Sequence, residues 1–312
     1  MNESLVSVLI PVYNHARYVR QCLDSLLTEG WSNLEVLVTD DGSTDNSFEV
    51  IQEWRTEHPN AFVRFELTKQ ENQGLTKTLN RLVAKAKGEF VTLVASDDYL
   101  LPGGISARIE SMQEHPNWFG IIGNAWIIDP SGNLIHEDGT LVFKGRRRGI
   151  FGNTDTLKRE LLIRWWSPGP TLLLRRDCFD SKKGLGLYDE TVSFEDRDYY
   201  IRLLARNALG FVDYPVAAYR VDMVRLATPP SPKMLMDEVR SELKNLKQFS
   251  GFEQFVLWCR AHRTLAKLSL RENPQFLFGK AKAIVVSRSL GRHSTTALGL
   301  PAIKNPVFKL IP

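Results

Sequence analysis

Cysteine is scarce. Cys22, Cys178 and Cys259 are the three in 312 residues, widely separated and odd in number, which argues against a disulfide scaffold and offers no metal-ligand spacing. Long apolar runs are missing too, none approaching the roughly 20 residues of a membrane span. Met1 leads into a strand pattern by Leu5 without the basic, apolar and small-residue series of a signal peptide, so the expected location is the cytoplasm. Repeats and low-complexity tracts are absent, and an apolar fraction of 43% with 24% charged residues excludes a disordered chain. The glycine-rich Gly-x-Gly-x-x-Gly turn of a dinucleotide-binding unit is also lacking. Pro11-Val12-Tyr13-Asn14 stands in its place, so a bound nucleotide must offer its phosphates to something else.

What is present is an alternation of strand and helix patterns. Short apolar runs at 6–11, 34–39, 62–67 and 90–95 read as strands. Between them, Val19, Leu23, Leu26 and Leu27, then Phe48, Ile51 and Trp54, then Leu75, Leu79, Leu82 and Ala86 recur at helical spacing. That order predicts a doubly wound, mainly parallel sheet flanked by helices. Beyond it the pattern predicts a helix over 104–114, a strand over 120–128 returning as a hairpin from Leu134, and a helix over 156–166.

The run 90–95 ends in Ser96-Asp97-Asp98, followed by Pro102-Gly103. A buried strand delivering two carboxylates to its carboxyl end puts them where open α/β sheets bind ligands, and a hard divalent cation relieves their repulsion. The competing reading makes one of them the cap of the next helix. Glu195-Asp196 likewise opens a helical pattern, where carboxylates often only complement the helix dipole. Lys144 to Gly149 is a basic, glycine-flanked loop, suited to closing over an anion or to lying in solvent.

The net charge of +4 hides an asymmetry. From Lys233 onward 14 Lys and Arg face 5 Asp and Glu, whereas residues 1–232 carry 26 against 31. Pro229-Pro230-Ser231-Pro232 marks a boundary, giving an expected catalytic domain at 1–228 and a basic helical extension at 229–312. Within the extension Phe255, Trp258, Ala261, Leu265 and Leu268 are expected on one helix face, to pack on the domain or dock peripherally at a membrane surface.

Four features now stand in one order: Val-Ser-Val-Leu-Ile-Pro-Val-Tyr-Asn from Val6, Asp40-Asp41-Gly42-Ser43, Ser96-Asp97-Asp98, and Glu195-Asp196 before Arg202. With Glu71-Asn72-Gln73-Gly74 and Lys87-Gly88-Glu89-Phe90, they closely resemble the family 2 glycosyltransferases of the GT-A fold, over roughly residues 5–226. The resemblance implies an inverting, metal-dependent, hexosyltransferase-type enzyme acting in surface polysaccharide or glycolipid synthesis. Its donor would be a nucleotide-diphosphate sugar, UDP-linked by preference, and its acceptor a saccharide or lipid-linked saccharide. Nucleic acid is not an expected partner.

Carried over by position, Pro11, Val12 and Tyr13 would hold base and ribose, with Tyr13 stacking, and Asp41 would accept a hydrogen bond from the base. Gly74 belongs to the same donor site, Asp97 would sit near the ribose, and Asp98 would ligate Mn²⁺ or Mg²⁺. Asp196 would be the general base, with Glu195 beside it. Trp165 and Trp166 could offer a flat surface to an acceptor sugar or pack in the core. The chain departs from the family pattern at Ala95, where many relatives carry a further Asp, at Leu79, often Arg, and at Asp222, often His. Two other readings compete: a nucleotidyltransferase, which would show a glycine-rich loop after its first strand, and a catalytically silent nucleotide-sugar binder.

Overall fold

A computed structural model describes residues 3–144, 151, 153–163, 167–222 and 229–272. Among these the chain runs β1 (Val6–Val12), α1 (Val19–Thr28), β2 (Leu34–Asp40), α2 (Ser47–Glu57), β3 (Arg64–Lys69), α3 (Leu75–Lys85) and β4 (Phe90–Leu93). It continues with β5 (Tyr99–Leu100), α4 (Gly104–Glu114), β6 (Gly120–Ile128), β7 (Leu134–His136), α5 (Gly139–Lys144), α6 (Thr154–Ile163) and β8 (Leu173–Arg175). Then come α7 (Glu195–Ala205), β9 (Leu209–Arg220), α8 (Pro232–Asn245) and α9 (Gly251–Glu272). Part of the basic loop at 144–149, Trp165, Trp166 and residues 273–312 lie outside the described residues.

The strands form one sheet in the order β3-β2-β1-β4-β8-β6-β9-β5, with β7 paired to β6. β3, β2, β1 and β4 are mutually parallel, as the alternation of strand and helix requires. β8 then runs antiparallel between β4 and β6, which makes the sheet mixed. The wholly buried run of β2 and the nearly buried β1 are what a sheet covered on both faces demands. Leu9, Leu37, Leu79, Leu82 and Val91 belong to one core, while Val8, Ile10, Val36, Val38, Ile51 and Trp54 belong to a second.

Register fixes the position of the site. Val12 pairs with Asp40 and Asp40 with Lys69, so the loops after β1, β2 and β3 leave the sheet at one level. β4 pairs Leu93 with Leu9, bringing Ala95 to Asp97 out beside Pro11 to Tyr13.

Residues 1–265 form one compact unit, and 266–312 a second, of which the described part is the end of α9. The segment after the proline cluster is therefore packed with the sheet as far as Leu265. On α9 the expected face holds in part: Ala261 and Leu268 are buried, with Leu257 beside them, whereas Phe255 and Trp258 are 60% and 45% exposed. The helix interior admits the smaller side chains of the 257, 261, 264 row, and the aromatics are left outside. No described helix is long and apolar enough to cross a membrane.

Candidate active site

A cleft of about 350 Å³ opens at the carboxyl ends of β1, β2 and β4. Pro11, Val12, Tyr13, Asp41, Gly74 and Asp97, the six residues expected to hold the donor, all line it, together with His15, Asn72, Leu75, Thr78, Ala95 and Ser96. Tyr13 presents a ring 47% exposed at its edge. On α3 the expected apolar face is incomplete, because Leu75 is half exposed and forms part of this wall while Leu79 and Leu82 are buried.

Local chemistry holds these loops rigidly. Asn14, at φ 56, donates its backbone N–H to Ser43 Oγ and accepts from the Thr44 N–H through Oδ1. Asp41 is 4% exposed. Its Oδ1 accepts from Gln70 Nε2 at 2.7 Å and from the Gln73 N–H at 2.8 Å, and its Oδ2 accepts from the Gly74 N–H at 2.9 Å. Two glycines permit this closeness. A Cβ on Gly42 would meet the Asn72 nitrogen at 2.8 Å, and Gly74 turns into α3 at φ 86, a backbone conformation other residues rarely adopt.

The acidic pair is split by the turn that carries it. The Asp98 N–H bonds back to the Ala95 carbonyl at 2.9 Å, and Asp98, 3% exposed, accepts the Arg220 N–H through Oδ1 at 2.7 Å. Burial first, and the neighbouring Asp97 second, raise its carboxyl well above the usual range. Arg220 clamps the turn from behind: Nε donates to the Asp97 carbonyl, Nη1 to the Asp129 carbonyl and Nη2 to Gln21 Oε1, with the guanidinium over the Tyr18 ring. Asp98, expected as the metal ligand, is thus placed behind the cleft, and Asp97 is the carboxylate on its wall. His15 stands next to it, Nδ1 2.8 Å from Ser96 Oγ and 3.9 Å from Asp97 Oδ1. His15 was not among the expected site residues, although its place directly after Pro11-Val12-Tyr13-Asn14 is a usable signal. Arg220 gave none, being 122 residues from Asp98.

A second cavity of about 280 Å³ adjoins the first, sharing Gly74 and Leu75 with it. Gln73, Thr76, Lys77, Glu190 to Ser193, Glu195 and Lys233 complete it. Glu195 and Asp196 sit in the first turn of α7. Burial and the repulsion of Asp196 push the Glu195 carboxyl up to about 7, and burial raises that of Asp196 as well. The segment before them is pinned by Asn80, which donates to the Tyr188 carbonyl and to Glu190 Oε1 and accepts from the Tyr188 N–H.

α8 grips the same segment along its length. Asp237 accepts from Ser193 Oγ at 2.6 Å, and Lys244 pairs with Asp189 and, at 2.8 Å, with Asp198. Arg197 pairs with Glu242 and, at 3.4 Å, with Glu238, and both of these carboxylates also meet Arg260 of α9. None of this was visible beforehand, because like and unlike charges on a helix read as a solvated face.

Comparison with known proteins bears on this arrangement. The family model described as glycosyl transferase family 2 matches residues 7–125, the stretch that builds the first cleft. Residues 7–125 are thus a glycosyl transferase family 2 domain. Chondroitin synthase of Escherichia coli is 34% identical over 131 residues, 42% of this chain but 18% of that protein. The chain therefore spans less than a fifth of that relative. Among solved structures, Staphylococcus aureus TarS 1-349 in complex with UDP-GlcNAc aligns with TM-score 0.61 at 19% identity, over 86% of this chain and 72% of TarS. Mannosyltransferase PcManGT from Pyrobaculum calidifontis, in complex with GDP-Man and Mn²⁺, aligns with TM-score 0.58 at 18% identity, over 94% and 77%. The sheet is thus of GT-A type.

A divalent cation is tested by the donor set. Among the described residues no three His, Cys, Asp or Glu side chains are grouped to hold a metal. With Ala95 on the wall, Asp97 is the cleft's available carboxylate beyond Asp41, which is already engaged. One carboxylate plus substrate phosphates and water suits Mg²⁺ or Mn²⁺, ions that bind this way rather than in all-protein cages.

Proposed function

We propose that the protein transfers a sugar from a nucleotide-diphosphate donor to an acceptor hydroxyl, with inversion at the anomeric carbon, in polysaccharide or glycolipid synthesis. The observation that carries this reading is the convergence of residues from β1, β2, α3 and β4 on one cleft that shares Gly74 and Leu75 with the cavity lined by Glu195. Tyr13 stacks on the base and Asp41 accepts from it. Both lone pairs of Asp41 Oδ1 are engaged and Oδ2 holds one bond, leaving a single acceptor position. That suits the lone N3–H of uracil or thymine and disfavours guanine, which presents two donors side by side.

The cation falls to Asp97 rather than Asp98, with His15 and Ser96 orienting that carboxylate. Bound there with the donor, it would stabilise charge on the departing diphosphate by several kcal/mol. Direct displacement requires the base on the face opposite the leaving group, hence from another segment, and Asp196, on α7 beside the cavity residue Glu195, is assigned that role. A positioned carboxylate contributes about 10² to 10⁴ in rate by taking the hydroxyl proton. The missing glycine-rich loop disfavours a nucleotidyltransferase.

The test is a thermal-shift screen of UDP-, dTDP- and GDP-sugars with and without Mn²⁺. Ligand at about 100 times its Kd stabilises by about 2.7 kcal/mol, so a metal-dependent rise in Tm with a uridine or thymidine donor is expected. A rise with GDP-sugars alone would overturn the base assignment, and no rise with any donor the reading itself.

A further inference from the structure

The outer face of α9 carries Phe252, Phe255 and Trp258, 54%, 60% and 45% exposed. Phe255 and Trp258 stack with centroids 6.4 Å apart, and Trp258 stacks on His262 at 4.0 Å, so the row forms a continuous aromatic stripe. Arg159 of α6 lies over the Phe252 ring at 5.9 Å, and Arg263 and Lys267 are exposed on the same helix. Leaving three large rings in water is unfavourable, and contiguous exposed apolar patches mark interaction surfaces. Nothing in the proposed reaction uses this stripe, which faces away from the Leu257 and Ala261 row that packs inward.

We propose that the α9 stripe docks the protein on an anionic lipid surface, its rings entering the headgroup region and the flanking cations meeting lipid phosphates. Charge selects this occupant. Beyond Glu272 the chain continues with six Lys and Arg and no Asp or Glu. A symmetric contact between two copies through α9 would set the exposed Arg263 and Lys267 of one against those of the other, whereas an anionic bilayer neutralises these cations. Aromatic rings with adjacent cations are what an interfacial helix presents to a bilayer. Docking of this kind would hold the clefts near a lipid-linked acceptor, but the inference itself does not depend on the transfer reaction.

The experiment sediments the full chain with vesicles of phosphatidylcholine alone and of phosphatidylcholine with phosphatidylglycerol, without donor or acceptor. Binding to the anionic vesicles is expected, weakened by salt, and at least tenfold weaker for the variant Phe252→Ser, Phe255→Ser, Trp258→Ser with an unchanged circular dichroism spectrum. Trp258→Phe alone is expected to fold normally, retain most binding and reduce the vesicle-induced blue shift of tryptophan fluorescence. Equal binding of wild type and triple variant, or no preference for anionic vesicles, would overturn the proposal. So would light scattering that shows a dimer abolished by the triple variant together with no vesicle binding, since the stripe would then serve a second copy. Because no sugar nucleotide is present, a failure here is separable from a failure of the transferase reading.

Discussion

At the turn after β4, a backbone bond from the Asp98 N–H to the Ala95 carbonyl rolls the Asp98 side chain toward β9 and leaves Asp97 facing the cleft. Adjacent carboxylates thereby acquire different work. Asp97→Asn is expected to weaken Mn²⁺-dependent donor binding at least tenfold with little change in stability. Asp98→Ala strands the buried Arg220 N–H and is expected to destabilise the fold by about 1–3 kcal/mol. Calorimetric titration and urea unfolding of the two variants separate the cases, and the reverse pattern would return the metal to Asp98. The α7 pair makes a pH prediction. The Glu195 carboxyl is raised from an ordinary value of 4.5 to about 7 in the folded chain, so the folded state keeps a proton that the unfolded state loses. Stability conferred on the fold by that proton is present at low pH and lost as pH rises through about 4.5 to 7. Glu195→Gln removes this loss. Its Tm should exceed wild type by several degrees at pH 8 and match it at pH 4, as scanning calorimetry can check.

Helix α7 draws its position from α8, through Ser193 with Asp237, Arg197 with Glu238 and Glu242, and Asp198 with Ser241, Lys244 and Asn245. Breaking a buried ion pair by removing one partner costs about 3–5 kcal/mol, because the other charge is left desolvated. Arg197→Met is therefore expected to lower stability by about that amount in urea unfolding, with part of the loss restored when Glu242→Leu is added. A change below about 0.5 kcal/mol would show that the network is not what anchors α7. This is also where sequence stops being informative. The β1 to β4 strands and α3 were legible because buried strands and amphipathic helices leave a periodic apolar record. Asp41, Asp97 and Tyr13 were legible because they follow those strands directly. The grip of α8 was not, since its residues are mostly charged and their partners lie 41 to 55 positions away. The exposure of Phe255 and Trp258 on α9 was missed for a related reason: large aromatic rings at helical spacing read as core, and their position in the helix contradicts it.

Taken as a whole, the molecule places its first cleft on the β1, β2 and β4 loops, outside the carboxyl ends of the strands, where open α/β sheets bind ligands. To this is added a second cavity walled by α3, the 190–195 segment and the start of α8, meeting the first at Gly74 and Leu75. These two spaces would have to act as one site, with binding in the first and proton removal by Asp196, which lines neither cavity itself and sits next to Glu195 of the second. Measuring donor affinity and turnover together for Asp196→Asn tests this most directly. The expected result is a donor Kd within about twofold of wild type and a kcat lowered by about 10² or more. Wild-type turnover in that variant, or loss of donor binding along with turnover in a folded protein, would contradict it.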